Sequence, residues 1–424
     1  MSNTLLTSSI ILKECYAIMH QKSNFIAKTN RQYDGRFANK GAQIGQQLGI
    51  RLPPKFTTRT GNAMSSQNVV DRQVSLPLAT INGVDLLLSQ EDLTFKIEEL
   101  SERILQPAVS QLAATVEGTA LSTLYKQVAN CVPSVAGQTT TTSYVTYQTF
   151  QDSGRYLSEA LAPPSPRTMT MNPQTRVDFS TDVKGLFQSS DNIRQQYVDG
   201  MMGRTGGYEV FENTLMPSHT PGTFNGTLST TVSTTADSGY DGTGNAYTTS
   251  FGLKFDVSTS YAFKAGDIIT IGNVFEIQPE TKTSYGRLKQ FVVVSDTTGT
   301  TTGTLTISPA PILSGAYQNV NTAIADNAAI TVMGSVSGAG TAGRTIYGQN
   351  LGFHRDAFAI VTADLEDPTP YGAWGAREVF EGMSMRIWRQ GDISNGTFPC
   401  RLDIAWGCVA VYPEWAVRLL NGQR

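Results

Sequence analysis

Charge is scarce in this chain, and so are the residues that most often carry enzyme chemistry. Charged residues make up 16% of the 424 positions, against roughly 25% in an ordinary soluble domain. The net charge is −3, so no basic surface is predicted that would bind nucleic acid or an anionic membrane. Thr, Ser and Gly take the place of the missing charges. Such a composition suits strands, turns and large protein–protein contacts, because charges are costly at the centre of an interface.

Metal-binding and redox patterns are also missing. The histidines are His20, His219 and His354, and the cysteines are Cys15, Cys131, Cys400 and Cys408. The histidines lie far apart in sequence, and no two cysteines have the CxxC spacing of a zinc or redox site. We therefore predict reduced thiols and no catalytic, cofactor-binding or metal site.

Long hydrophobic runs are absent too. No stretch reaches the ~18 apolar residues of a membrane span, and the start, MSNTLLTSSIILKECY, lacks the parts of a signal peptide. We expect a soluble protein that stays inside the cell where it is made. The Asn-Gly-Thr patterns at Asn225 and Asn395 match glycosylation sites, which mean little without a secretory route.

Two short motifs are similar to sequences found in nucleotide-binding and kinase active sites. Residues 338–345, GAGTAGRT, nearly match a phosphate-binding loop, but Arg344 stands in the place of the lysine and no helical pattern follows. We interpret this stretch as a flexible linker. His354-Arg355-Asp356 matches the start of a kinase catalytic loop, which needs Asn five positions after the Asp, where this chain has Val361. We interpret it as coincidence, and predict that the protein is not an enzyme.

The strongest helical pattern precedes the middle of the chain. The apolar stripe is Ile97, Leu100, Ile104, Leu105, Val109, Leu112, Val116, Leu121, Leu124 and Val128. Its spacing of three and four predicts helix. Because proline costs almost nothing in a first turn, Pro107 predicts a short helix ending near Leu105 and a long one running to about Ala129. Upstream, residues 33–88 are rich in Gly and polar residues, and predict two strands joined by a long loop.

Between residues 219 and 347 the chain changes character. Thr, Ser and Gly dominate, and Phe251, Leu253, Phe255 and Val257 alternate with polar residues. This pattern and the segments IITIGNVFEI, QFVVV and TLTIS predict an inserted all-β domain, a small barrel or sandwich. On its flanks, Arg167–Met171 predicts a strand and Asn172-Pro173 predicts a helix start, with a helix to Leu186. AFAIVTADL, MSMRIWRQGDI and CRLDIAWGCVAVY predict further strands.

The sequence as a whole resembles a known family. LGFHRDAFAIVTADLE, MSMRIWRQGDI and FPCRLDIAWGCVAVYPEWAVRLL resemble the C-terminal region of coat proteins of short-tailed, double-stranded DNA phages, the Salmonella podovirus type. DLTFKIEELSERILQPAVSQLA and TMTMNPQTR are similar to earlier blocks of the same type, as is the inserted β domain. The resemblance covers essentially the whole chain, as a pattern of blocks rather than one signature.

The resemblance implies an α+β fold of the tailed-phage capsid type with an inserted Greek-key-like barrel. The implied regions are an N-terminal arm (1–32), an extended loop (33–90), a peripheral domain with a spine helix (91–164), a first axial part (165–218), the inserted β domain (219–347), and the axial remainder with the return to the peripheral domain (348–424). It implies pentamers and hexamers that close into an icosahedral shell around double-stranded DNA in the virion. Assembly would take place in the bacterial cytoplasm on a scaffolding protein, with a portal protein at one vertex and no membrane.

Two other functions stay open on the sequence alone. A β-rich virion accessory or glycan-binding protein would use the insert as its head, with the late tryptophans Trp374, Trp388, Trp406 and Trp415 as a stacking platform. Core or interface packing is the simpler interpretation of those residues. A hydrolase or NTPase would depend on Arg344. We also expect residues 33–90 to be mobile in the free subunit and ordered in the shell, because a loop with little apolar content cannot offset its ordering entropy alone.

Overall fold

The computed structural model describes Cys15, Met19 and residues 23–31, 47–64, 66–67, 69, 72–78, 80–89, 104–133, 145–183, 204–231, 249–334, 346–363, 365, 374–380, 383–391 and 397–422. Within these ranges the chain is a mixture of helices and strands, as predicted. The helices are α1 (Asn24–Lys28), α2 (Gln106–Leu124), α3 (Tyr147–Glu159) and α4 (Pro173–Val183).

The strands before the insert and within it fall in the following order. They are β1 (Gln47–Leu52), β2 (Arg72–Pro77), β3 (Thr80–Ser89), β4 (Cys131–Val132), β5 (Arg167–Met171), β6 (Arg204–Thr205), β7 (Tyr208–Glu212), β8 (Ser218–His219), β9 (Thr223–Asn225), β10 (Leu228–Thr230), β11 (Phe251–Val257), β12 (Ser260–Phe263), β13 (Ile268–Ile277), β14 (Ser284–Val293), β15 (Thr297–Gly299), β16 (Thr302–Ser308) and β17 (Ile330–Val332). After the insert come β18 (Tyr347–His354), β19 (Phe358–Ala363), β20 (Trp374–Phe380), β21 (Met383–Arg389), β22 (Thr397–Ala410) and β23 (Ala416–Gly422).

The chain divides into two compact units. The first comprises Met1–Ile50, Val74–Leu121 and Phe358–Val411, and the second comprises Arg51–Gln73, Ser122–Ala357 and Tyr412–Arg424. The first unit holds a sheet in the order β19-β22-β21-β20, and β3 pairs with β22. A hydrogen bond joins helix α1 to helix α2 within this unit: the Phe25 amide donates to the buried carboxylate of Glu117 over 2.7 Å.

Helix α2 carries the predicted apolar stripe. Ile104 and Leu105 form a π-type turn that leads directly into α2, so Pro107 lies in the first turn, where no amide is needed. The predicted short helix ending near Leu105 lies before Ile104, outside the described residues, apart from its last turn. A 3₁₀ turn at Tyr125–Gln127 ends it, close to the predicted end at Ala129. The stripe from Leu105 to Val128 is buried.

The second unit contains a seven-stranded sheet in the order β4-β23-β18-β5-β7-β6, with β8 beside β18. Helices α3 and α4 contribute Phe150 and Phe179 to a core that includes Met169, Tyr208 and Val417. The predicted strand Arg167–Met171 has the bounds of β5. Asn172 caps α4 by accepting the Thr175 amide over 2.7 Å. The predicted end of this helix at Leu186 falls outside the described residues.

The rest of the second unit is the β-rich region predicted as an insert. Six strands form a sheet in the order β10-β11-β16-β14-β13-β17, and three form a smaller sheet, β15-β12-β9. Thr230 of the outer strand β10 accepts the Asn327 amide over 2.8 Å and donates its own amide to Ala328 over 2.9 Å. Asn327 and Ala328 lie just before β17, the other outer strand. The alternating residues predicted to face inward, from Phe251 to Val257, all lie in one buried core.

The described part of residues 33–88 contains one strand more than predicted. Strands β1 and β2 pair with each other across the connection between them, as expected for two strands and a long loop. The third strand, β3, joins the sheet of the first unit through β22. Its polar positions Asn82, Gly83 and Asp85 obscure the alternation in the sequence.

Candidate assembly surface

The connection between β1 and β2 carries apolar side chains on its surface. We call residues 53–69 the extended segment. Phe56 is 59% exposed, Met64 87% and Val69 64%. Water contact at three large apolar groups on one stretch is unfavourable, and clustered exposed apolar surface usually marks a site of protein contact.

The extended segment is held in shape by polar side chains rather than by a core. Gln67 accepts the Thr57 amide over 2.9 Å and donates to the Thr57 carbonyl over 2.6 Å. Its side chain therefore bridges the two limbs, in the manner of a strand pair. Arg59 donates to the carbonyls of Gly61 and Ala63 and closes the tip. The segment thus presents its apolar groups on a preformed scaffold.

A buried polar cluster fastens the insert within the second unit. Arg418 of β23 is fully buried, and donates through both terminal nitrogens to the Gly266 carbonyl over 3.0 and 2.9 Å. Gly266 has φ +100°, and an added Cβ would crowd Tyr125 and His219 at 3.3 Å, so the turn needs glycine. Burial lowers the pKa of Arg418 to about 10 and raises the pKa of Tyr125.

His219 also belongs to this cluster. Its Nε2 lies 2.7 Å from Asp267 Oδ1, and its Nδ1 lies 3.2 Å from the Tyr125 hydroxyl. Asp267 also accepts the amides of Gly222 and Lys264. Both ring nitrogens and the carboxylate are therefore occupied by structural partners.

A second charged cluster joins α3 to the larger sheet of the insert. Glu276 accepts from Arg287 and from Lys289 over 2.7 Å, and Arg287 also pairs with Glu159 at the end of α3. Burial would raise the pKa of Glu276, but Lys289 and Arg287 hold it below its usual value. The Arg287 guanidinium lies 4.0 Å from the ring centre of Tyr156.

The motifs that imitate nucleotide chemistry gain no support from the structure. Residues 338–345 and Asn395 lie outside the described residues, as does His20. Arg355 to Ala357 form a single 3₁₀ turn, and His354 is buried with its ring edge toward Trp415. Burial lowers the pKa of His354. Asn225 ends β9.

The four tryptophans make separate contacts. Trp374 stacks with Arg389 at 4.1 Å, and Trp388 lies beside Arg386 at 5.4 Å. Trp406 is buried and donates to Asn82 over 2.7 Å. Trp415 stacks on Tyr412 with ring centres 4.3 Å apart. Contacts of this kind are typical of side-chain packing, which is the simpler of the two interpretations of these tryptophans.

Cys131, Cys400 and Cys408 carry free thiols. Burial raises the pKa of Cys131 to about 12, that of Cys408 to about 12 and that of Cys400 to about 11, so these thiols stay protonated near neutral pH. In the part of the chain that the structure describes, no group of three or more His, Cys, Asp or Glu side chains could hold a metal ion. The described helices include none with the length and apolarity to cross a membrane.

Sequence inspection missed the side chains that do most to organise the second unit. Arg418 had a usable signal, because a charge in the apolar run AVRLL must be buried and paired if the run is a strand. Gln67 had none, since nothing in the local pattern points to its partner Thr57 across the tip.

Several solved structures are similar to this chain. "Mycobacterium phage Che8" is 11% identical, with 94% of this chain and 90% of that chain covered and a TM-score of 0.45. "Capsid structure of the Cyanophage P-SCSP1u" is 10% identical, with 89% and 84% covered and a TM-score of 0.39. "CUS-3 coat protein I-domain" is 25% identical over 27% of this chain and 95% of that chain, with a TM-score of 0.17.

A comparison with family models gives the decisive match. No curated protein matches the sequence. The family model described as "P22 coat protein - gene protein 5" matches residues 2–422, nearly the whole length. That match selects the coat-protein interpretation over an accessory or glycan-binding protein and over a hydrolase. The chain belongs to the P22 coat protein family, and it is a structural protein, the major capsid protein that forms the shell of a phage virion.

Proposed function

We propose that the chain forms pentamers and hexamers that close into an icosahedral shell around double-stranded DNA. It would assemble in the bacterial cytoplasm as a procapsid, on a scaffolding protein and with a portal protein at one vertex. The exposed apolar side chains of the extended segment carry this proposal. Phe56, Met64 and Val69 gain from burial only if a second copy covers them, and the closed geometry of a shell supplies that copy.

The charge balance of the chain supports the same arrangement. A wall that encloses DNA without binding it tightly needs little basic surface, and the net charge is −3. Repeated subunit contacts also favour a low charge content, because a buried unpaired charge is costly.

The proposed regions keep the bounds that the resemblance implies: an N-terminal arm (1–32), an extended loop (33–90), a peripheral domain (91–164), an axial domain (165–218 with part of 348–424) and an inserted domain (219–347). Helix α2 lies inside the proposed peripheral domain. The six-stranded sheet lies wholly inside the proposed insert. The hydrogen bonds between Thr230 of β10 and the residues just before β17 support a closed barrel, as the resemblance implies.

Co-expression with the scaffolding protein from the same genome tests the proposal. Negative-stain electron microscopy of the wild type should show closed shells with scaffold, and irregular or absent particles without it. Monomers or trimers under both conditions would contradict the proposal.

Two variants and one control test whether the extended segment makes an assembly contact. Phe56→Ser and Met64→Ser should sharply reduce the yield of shells. Val177→Ser is the control, because Val177 is 51% exposed on α4, outside the extended segment. Equal yields from all three variants would remove the segment from the assembly contact.

A further inference from the structure

The insert carries a loop, residues 312–320, that is built to hold one aromatic side chain. Asn319 accepts the Ile312 amide over 2.8 Å and donates to the Ala310 carbonyl over 2.7 Å, so its side chain ties the loop across its base. Lys282 donates to the carbonyls of Ala316 and Gln318 over 3.1 and 3.2 Å. Both carbonyls flank Tyr317, whose position is thereby fixed.

Tyr317 contacts both limbs of the connection between β1 and β2. Its hydroxyl accepts the Lys55 amide over 3.2 Å, on the outgoing limb. Its ring lies 5.2 Å from the guanidinium carbon of Arg72, on the returning limb at the start of β2. Tyr317 is 8% exposed and Arg72 is 4% exposed. One side chain of the insert therefore holds the connection at its two ends, and the exposed apolar groups lie between those ends.

Charged groups surround the contact of Tyr317 with the connection. Burial, opposed by Glu414 and reinforced by Arg72 and Lys289, lowers the pKa of Lys55. Burial and the nearby Lys55 lower the pKa of Lys282.

We propose that Tyr317 is a positioning residue for shell assembly, which holds both ends of the extended segment against the insert of its own chain and fixes the direction in which Phe56 and Met64 face a second copy. This inference rests on the proposed role of the extended segment in assembly. It gives the insert a specific role, because the insert would set the geometry of a subunit contact made by the extended segment.

The test compares Tyr317→Phe and Tyr317→Ala with Tyr261→Phe in the full-length protein. Tyr317→Phe removes the acceptor of the Lys55 amide and keeps the ring beneath Arg72. Tyr317→Ala removes both contacts. Tyr261 is the matched control, since it is a similarly buried tyrosine of the insert whose hydroxyl donates to the Thr302 carbonyl over 3.0 Å.

Hydrogen exchange of the free subunit gives the first readout. Tyr317→Phe should raise exchange at the Lys55 amide about tenfold, measured in peptides that begin at least two residues before Lys55; this is the effect of one lost hydrogen bond of roughly 1.4 kcal/mol. Tyr317→Ala should raise it throughout residues 53–76. Neither variant should alter exchange in β11 and β16, and Tyr261→Phe should leave residues 53–76 unchanged.

Electron microscopy of the assembled particles gives the second readout. Tyr317→Ala should give shells of mixed size or open shells, whereas Tyr261→Phe should match the wild type. Unchanged exchange in both Tyr317 variants, or altered exchange with uniform wild-type shells, would overturn the inference. Should Tyr317→Ala prove insoluble, Tyr317→Phe alone decides, through the exchange at Lys55 and a broadened distribution of shell sizes. Failure of the wild type to form shells would instead refute the proposed function, so the two failures are distinguishable.

Discussion

The six-stranded sheet of the insert and the extended segment are both rich in Thr, Ser and Gly, yet they are ordered in different ways. In the sheet, every second residue of β11 enters a shared core, and Leu253 and Phe255 are 0% exposed. In the extended segment, Phe56 and Met64 face water. The sheet is stabilised by burial within the subunit. The segment keeps its shape through a few hydrogen bonds and leaves its apolar groups exposed in the single chain.

Two segments of similar composition can therefore differ in whether their apolar side chains are buried or exposed. Alternation of apolar and polar residues lets a strand bury one face against its own chain. Isolated apolar residues between polar ones cannot do so. They therefore remain exposed in the single chain. The same kind of substitution, made in both regions, tests this contrast.

The largest expected effect comes from removing one phenylalanine in each region. Phe255→Ala should lower the free energy of unfolding by about 3–5 kcal/mol, because it leaves a cavity in the core. Phe56→Ala should change it by no more than about 0.5 kcal/mol, since no core surrounds that ring. Urea unfolding of the free subunits measures both. Equal losses would contradict the contrast.

The next effect compares two arginines that donate to backbone carbonyls. Arg418→Met should cost about 2–4 kcal/mol of unfolding free energy, because the buried Gly266 carbonyl loses its charged donor. Arg59→Met removes similar bonds in the extended segment, where water replaces the donor, and should cost less than about 0.5 kcal/mol. Thermal unfolding of both variants provides the measurement. A loss at Arg59 as large as that at Arg418 would mean that the segment has a core of its own.

A smaller effect is expected on the free energy of unfolding at alkaline pH. Cys131 exchanges hydrogen bonds with Gln290 of β14, and burial raises the pKa of its thiol from 9.0 to about 12. A raised acid pKa stabilises the fold below pH 9, and this contribution is lost as the pH rises from 9 toward 12. Wild-type stability should therefore fall more steeply than that of Cys131→Ser, by about 1 kcal/mol per pH unit above pH 9.

Urea unfolding between pH 8 and pH 10.5 measures those slopes, and parallel curves for the two proteins would remove Cys131 as the cause. Burial also raises the pKa of Tyr156 and of Tyr208, and these tyrosines remain in both proteins. The extended segment contains no cysteine, so exchange in its peptides should not follow the Cys131 titration.

The smallest effect is expected inside the extended segment. Gln67→Ala removes the two bonds to Thr57 and should lower the free energy of unfolding by less than about 0.5 kcal/mol. Hydrogen exchange at Thr57 should nevertheless rise, because that amide loses its acceptor. Ser66 is an exposed neighbour and provides the control, since Ser66→Ala should leave the exchange unchanged. A large loss of global stability in Gln67→Ala would show that the segment contributes to the core.

Much of the local structure could be predicted from the sequence. The bounds of β5 and β13 agree with the predicted strands, because alternation over five to ten residues is a local property. The helix start at Asn172 was readable for the same reason, since a cap and its amide lie three residues apart. The π-type turn before Pro107 was not readable, because the sequence there allows either a break or a continuous helix.

The candidate surface could be predicted only in outline. A polar, Gly-rich connection between two strands was expected, and the structure adds which of its apolar residues are exposed. The hydrogen-bond partner of Tyr317 lies 262 residues away at Lys55, and nothing in the local pattern points to it. The same holds for Arg418, whose carbonyl partner Gly266 is 152 residues distant.

The sequence by itself determined the strands, the long helix, the β-rich middle region and the low charge content, together with the resemblance to coat proteins. These follow from periodicity and composition, which act over a few residues. Only the tertiary structure decided that β23 lies between β4 and β18, that Arg418 is buried against Gly266, and that Tyr317 holds both ends of the extended segment. Such contacts depend on which distant surfaces exclude water together, and side-chain periodicity along the chain carries no record of that pairing.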